Sequence, residues 1–158
     1  SSKFLAVNAQ INANNRNNYS IKKYKNLDCL VINESEIRNE LRDKFSNIEK
    51  IILRLTKELN LKNCLVTMGK NGSVCYSKKY SKFFYSKAYA TKVVDKVGAG
   101  DSLLGFFASF LSLNININTS MFISSIIAAI SVENLANSFS ITRKSILNKA
   151  KTHIENIK

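Results

Sequence analysis

The sequence contains no proline and no tryptophan, and among its 158 residues only five glycines and one histidine. Nothing in it resembles a Pro/Gly linker that would split the chain, so a single domain over residues 1–158 is expected. The lone histidine, His153, stands near the end of a Lys-rich tail. That leaves little room for a histidine metal site or base, and a solvated surface position is expected for it. The three cysteines, Cys29, Cys64 and Cys75, are odd in number and match no zinc spacing, which predicts buried free thiols. No apolar run reaches the roughly 18 residues that span a bilayer. The longest candidate, Met121–Ile130, is broken by Ser124 and Ser125. The first residues, Ser1–Leu5, lack the apolar stretch of a signal peptide, so the expectation is a cytoplasmic protein without membrane contact.

Acidic residues are scarce too: 11 against 24 Lys and Arg, a net charge of +13. Such a charge attracts phosphates at long range. The lysines are nevertheless scattered, as Lys22, Lys23 and Lys25, then Lys78, Lys79 and Lys82, then Lys149 and Lys151. With no nucleic-acid fold signature, charge alone carries the case for a nucleic-acid partner, and specific binding of that kind is not expected. The richness in Asn, Ile and Lys is the bias an AT-rich genome imposes.

What is present reads as globular: 45% hydrophobic and 22% charged residues. Strands are predicted at Phe4–Val7, Cys29–Ile32, within Leu61–Thr67, at Gly72–Ser77 and at Phe83–Ala90. The polar stretch Asn8–Asn18 reads as a loop. Helices are predicted from Ser35 to Leu41, with Ser35 as N-cap, and over Ile48–Leu59, where Ile48, Ile51, Ile52, Leu55 and Leu59 recur at helical spacing. Further helices are predicted over Asp101–Leu113, Ser120–Leu135 and Arg143–Ile157. Strand–helix–strand alternation around short apolar strands predicts an α/β fold with a largely parallel sheet.

The segment Val93–Ser102 carries the most chemical information. Gly98, Ala99 and Gly100 let backbone N–H groups gather at one point, and a helix starts directly after them. Those amides then sit at the positive end of the helix, a natural anion site. Asp101 there would repel a phosphate, but it makes sense as a base facing a neutral hydroxyl beside the anion. A glycine turn capped by Asp101 as helix N-cap fits the spacing equally well. A Walker loop is excluded because no Gly-Lys-Ser/Thr follows, and a dinucleotide fingerprint is excluded by Leu103.

Asp95–Phe107, read as DKVGAGDSLLGFF, resembles the C-terminal signature of the ribokinase-like, or PfkB, carbohydrate kinases. The resemblance implies that Gly98, Ala99 and Gly100 form an anion hole for the migrating phosphoryl group, with Asp101 as general base. It also gives Gly105 the part of a small residue allowing close helix packing. Lys96 departs from the Thr usual in the family. Asn33-Glu34-Ser35-Glu36 is similar to the family's Asn-x-x-Glu motif, implying that Asn33 and Glu36 hold magnesium, through water, and phosphates. Thr67-Met68-Gly69-Lys70-Asn71-Gly72 resembles its Thr-x-Gly-x-x-Gly turn, implying that Thr67, Gly69 and Gly72 receive the nucleotide. Phe4–Tyr24 and Ser125–Ser138 resemble the flanking segments, and the Val-x-x-x-x-x-Ser pattern in Val132–Thr142 leans toward the heptose-phosphate kinase branch.

The resemblance thus implies a three-layer α/β/α ribokinase-like fold and ATP-dependent phosphorylation of a sugar or sugar phosphate, with magnesium. Complete kinases of this family are about twice as long, and the early Gly-Gly, the sugar-binding Asp and the lid strands have no counterpart here. The expectation is therefore the C-terminal, nucleotide-binding half, with the N-terminal part of the fold missing. A missing N-terminal half or a homodimer partner would complete it. The rival expectations are a nucleotide-binding module without catalysis and a basic protein whose glycine turn touches a nucleic-acid backbone.

Overall fold

Four consecutive apolar residues, Cys29–Ile32, do not alternate inward and outward, so they suit a strand only where both faces of a sheet are covered. The computed structural model, which describes residues 3–8, 21–95, 98–134 and 140–155, places them in such a strand. Cys29 and Leu30 are fully buried, Val31 and Ile32 nearly so. This strand, β2 (Cys29–Asn33), lies between β1 (Ala6–Asn8) and β3 (Asn63–Thr67), and the sheet continues through β4 (Ser73–Ser77) to β5 (Lys82–Ser86). β1, β2 and β3 are parallel, whereas β4 runs antiparallel to β3. The α/β class and the largely parallel sheet are as expected, with β4 the strand that makes the sheet mixed. The last strand stops at Ser86, short of the Ala90 that its composition suggests. Residues 9–20, most of the expected polar loop, lie outside the described residues.

Parallel strands need a crossover. Between β2 and β3 it is made by α1 (Glu34–Leu41) and α2 (Ile48–Leu59). α2 has the bounds its periodicity predicts. Asn47 caps it by accepting the Glu49 N–H at 2.8 Å, and Asn60 ends it in the left-handed conformation. Its buried stripe, Ile51, Ile52, Leu55 and Leu59, packs with Ile37 and Leu41 of α1 against Leu30, Ile32, Cys64, Val66 and Val74 of the sheet. Each of these side chains contributes roughly 1.5–3 kcal/mol by leaving water. Cys29, Val31, Leu65 and Cys75 alternate with the sheet residues of that core and are buried as well. All three cysteines are therefore buried free thiols, as expected. Burial pushes the Cys64 thiol up to about 12, out of the reactive range.

The chain divides into two compact units. The sheet unit comprises residues through Met68 together with Ser73–Tyr85. The helical unit comprises the turn Gly69–Gly72 and the residues from Ser86 onward. In the helical unit, α3 (Ala99–Ser112) packs on α4 (Ile117–Val132), which packs on α5 (Arg143–Glu155). α4 begins three residues before Ser120 because Asn116 caps it, its Oδ1 accepting the Asn118 N–H at 2.9 Å. His153 differs from the solvated surface residue expected. It is half-buried on α5, its ring 5.0 Å from that of Tyr89. Among the described residues no helix is long and apolar enough to cross a membrane.

Candidate active site

Open α/β sheets present ligand-binding groups beyond the carboxyl ends of their parallel strands. Asn33 ends β2 and Thr67 ends β3, and the two are direct neighbours in the strand register. Asn33 also starts α1, so the N-cap lies two residues before the expected Ser35. Both residues are good caps, but Asn33 Oδ1 reaches the N–H of Glu36 at 2.8 Å and accepts from Ser35 Oγ at 2.6 Å. Glu36 returns the contact, its Oε2 accepting the Asn33 N–H at 2.9 Å. This reciprocal capping box fixes both side chains of the Asn-x-x-Glu motif at the strand-to-helix corner.

In the helical unit, Gly69–Asn71 forms one tight turn, closed by the Gly72 N–H donating to the Gly69 carbonyl at 3.0 Å. Gly69 has φ +56° and Gly72 φ +82°, the left-handed region that glycine adopts without strain. A methyl group on Gly72 would also overlap the Ser86 carbonyl oxygen.

Gly98 has φ +78° and is itself the N-cap of α3. The first helical bond runs from the Ser102 N–H to the Gly98 carbonyl at 2.9 Å. The amides of Gly98–Asp101 therefore precede the helical ladder, at the positive end of the dipole. Asp101 sits in the first turn and is exposed, not the N-cap that the turn-only reading requires. Ser102 receives a hydrogen bond from Ser131 Oγ of α4 at 3.2 Å, and Leu103 and Phe107 are buried. Among the described residues a methyl group on Gly105 meets nothing within 4 Å, so the close packing expected of it is not seen there. Lys96 lies outside the described residues.

No sequence pattern signals the residues that hold the segment leading to α3. Glu133 Oε1 accepts the Thr91 N–H at 2.7 Å and Thr91 Oγ1 at 2.9 Å, and Lys149 Nζ lies 2.7 Å from both Glu133 oxygens. Burial pushes the Glu133 carboxyl up, but Lys149 and the two Thr91 donors outweigh it and hold it below its ordinary value. Thr91 and Glu133 are 42 positions apart, and no local pattern links them.

Among the described residues, no three or more His, Cys, Asp or Glu side chains gather into a metal cage. One carboxylate, Glu36, beside one amide, Asn33, suits a magnesium ion that keeps most of its water shell and takes further oxygens from phosphates.

The profile of the pfkB family of carbohydrate kinases matches residues 15–143. The ribokinase of Dictyostelium discoideum is 32% identical over 105 residues, covering 58% of this chain and 33% of that protein. The bifunctional protein HldE of Campylobacter concisus is 31% identical over 119 residues, covering 73% of this chain and 24% of that protein. With the two so close in identity, the lean toward the heptose-phosphate kinase branch has weak support. Residues 135–139 of the segment that suggested it lie outside the described residues. The structure of Arabidopsis thaliana ribokinase complexed with ribose and ATP is 25% identical with a TM-score of 0.66, covering 79% of this chain and 41% of that one. The chain thus spans a third or less of the length of these two curated relatives. It belongs to the pfkB family of carbohydrate kinases.

Proposed function

We propose that this chain carries the nucleotide-binding and catalytic groups for ATP-dependent phosphorylation of a hydroxyl on a sugar or sugar phosphate. The observation that carries the reading is the left-handed Gly98 N-cap, with Asp101 in the first turn of α3. The amides of Gly98, Ala99 and Gly100 bind the phosphoryl group being transferred, each such preorganised contact being worth roughly 3 kcal/mol. Asp101 accepts the proton of the acceptor hydroxyl as its oxygen bonds to the γ-phosphorus. The bond from that phosphorus to the β–γ bridging oxygen breaks, giving ADP and the phosphorylated sugar. Thr67, Gly69 and Gly72 receive the nucleotide. Asn33 and Glu36 hold magnesium through water, and the ion, when bound, neutralises phosphate charge.

The test is calorimetric titration of the chain with ATP, with and without magnesium, beside a Gly100→Asp variant. Magnesium-dependent binding that the variant loses supports the reading. No binding by the folded chain would sink it.

A second reading is nucleotide binding without transfer by these residues alone, since they cover only 24–41% of the relatives compared. Magnesium-dependent ATP binding without phosphorylation of any member of a sugar panel would favour it.

A further inference from the structure

Three consecutive residues that close α4 bond to the chain on both sides of the Gly98 N-cap. Upstream, the Val132 carbonyl accepts the N–H groups of Val94 at 2.8 Å and Asp95 at 3.1 Å. Beside it, Glu133 Oε1 accepts both donors of Thr91. Downstream, Ser131 Oγ donates to Ser102 Oγ in the first turn of α3. Glu133 is in turn pinned from α5 by Lys149, and each of the two side chains is only 14% exposed. Tyr89 adds an aromatic wedge, its ring 5.4 Å from Phe122 of α4 and 5.0 Å from His153 of α5.

This arrangement exceeds what a surface ion pair provides. A single oxygen, Glu133 Oε1, receives three donors from two other segments of the chain. Gly98 at the N-cap and Gly100 in the first turn of α3 give that helix end high backbone entropy, and its first amides have no ladder bond to hold them. Amides that stabilise developing charge act only if they are fixed in advance by supporting groups on rigid elements.

We propose that Glu133, locked by Lys149, is a positioning residue for the Gly98–Asp101 amides. It touches no reacting atom and acts by fixing the 91–95 segment to the end of α4. That the amides receive nucleotide phosphate rests on the function proposed above; the clamp itself does not.

Amide hydrogen exchange on the full chain carrying Lys149→Met tests this. Exchange at Thr91, Val94, Asp95 and Ser102 is expected to accelerate about tenfold, with the β2 and β3 amides unchanged, because the opening is local. Lys149→Arg, which can pair with both carboxylate oxygens, is expected to restore slow exchange. Unchanged exchange at those four amides, equal acceleration in β2 and β3, or no rescue by Arg would overturn the proposal. Should Lys149→Met not fold, Glu133→Gln is read in the same way, since it keeps the shape and an acceptor for Thr91 but loses the ion pair. Titration of the same proteins with magnesium-ATP separates the two readings. Binding weakened in the Met variant and restored in the Arg variant supports both. If the unsubstituted chain binds no nucleotide while exchange responds as expected, the clamp stands and the nucleotide reading falls.

Discussion

Three glycines have the same left-handed backbone, yet their surroundings give them different weights. Among the described residues, nothing lies within 4 Å of where a side chain would begin at Gly69 and Gly98, whereas Gly72 faces the Ser86 backbone. Gly69→Ala is therefore expected to cost about 1 kcal/mol, the conformational penalty alone. Gly72→Ala adds a clash with a backbone carbonyl and is expected to cost about 3 kcal/mol or more. Urea denaturation of the two variants measures the difference, and equal costs would show that the backbone near Ser86 yields. Asp101 can be isolated in a similar way. Asp101→Asn keeps size and shape but removes the base, so magnesium-ATP binding should stay within about threefold. Sugar phosphorylation should fall by about a hundredfold or more. Turnover that survives would remove Asp101 from the role of base.

At the level of elements, the most regular pieces were the most legible. α2 declares itself through five apolar residues at helical spacing, and β2 through an unbroken apolar run. The start of α1 was harder to read, because Asn33 and Ser35 are both cap residues and only three-dimensional reach decides between them. The Asn-x-x-Glu motif shows the cost of that ambiguity, since one pair of side chains serves both a capping box and the proposed magnesium site. Two substitutions separate the roles. Asn33→Ala removes the cap and is expected to cost about 1 kcal/mol. Asn33→Asp retains an acceptor for the Glu36 N–H, so stability should largely return. If Asn33 serves the helix alone, magnesium-ATP affinity will follow stability across both variants. A change in affinity in the Asp variant, whose fold is intact, would mark a ligand-binding role. The clamp of Thr91, Glu133 and Lys149 was invisible for a different reason. Its members lie on three segments far apart in sequence, and each alone is an ordinary surface residue type.

For the molecule as a whole, strand–helix alternation announced an α/β protein but not where it divides. The chain passes between its two units at Met68–Gly69, Gly72–Ser73 and Tyr85–Ser86, and no proline marks any of these crossings. The charge of +13 was legible from the start, and its consequence for stability depends on the few carboxylates that are firmly paired. Asp28, at the foot of β2, accepts the Leu5 N–H at 2.8 Å and pairs with Lys62 Nζ at 2.6 Å. Burial pushes its carboxyl up, but Lys62 and the Leu5 amide outweigh that and leave it below the ordinary value, as Glu133 also is. A carboxyl whose folded value lies below its unfolded one stabilises the fold fully at higher pH and loses that contribution as pH falls through the folded value. Stability should therefore be level from pH 7 to about 5 and decline below about 4, where unfolded Asp and Glu take up protons first. The same protonation raises an already large positive charge and adds self-repulsion to the loss. Asp28→Asn is expected to be less stable at pH 7 and to decline less steeply with acid. Urea midpoints at pH 7, 5, 4 and 3 give both slopes, and parallel slopes would mean that other carboxylates govern the acid limb.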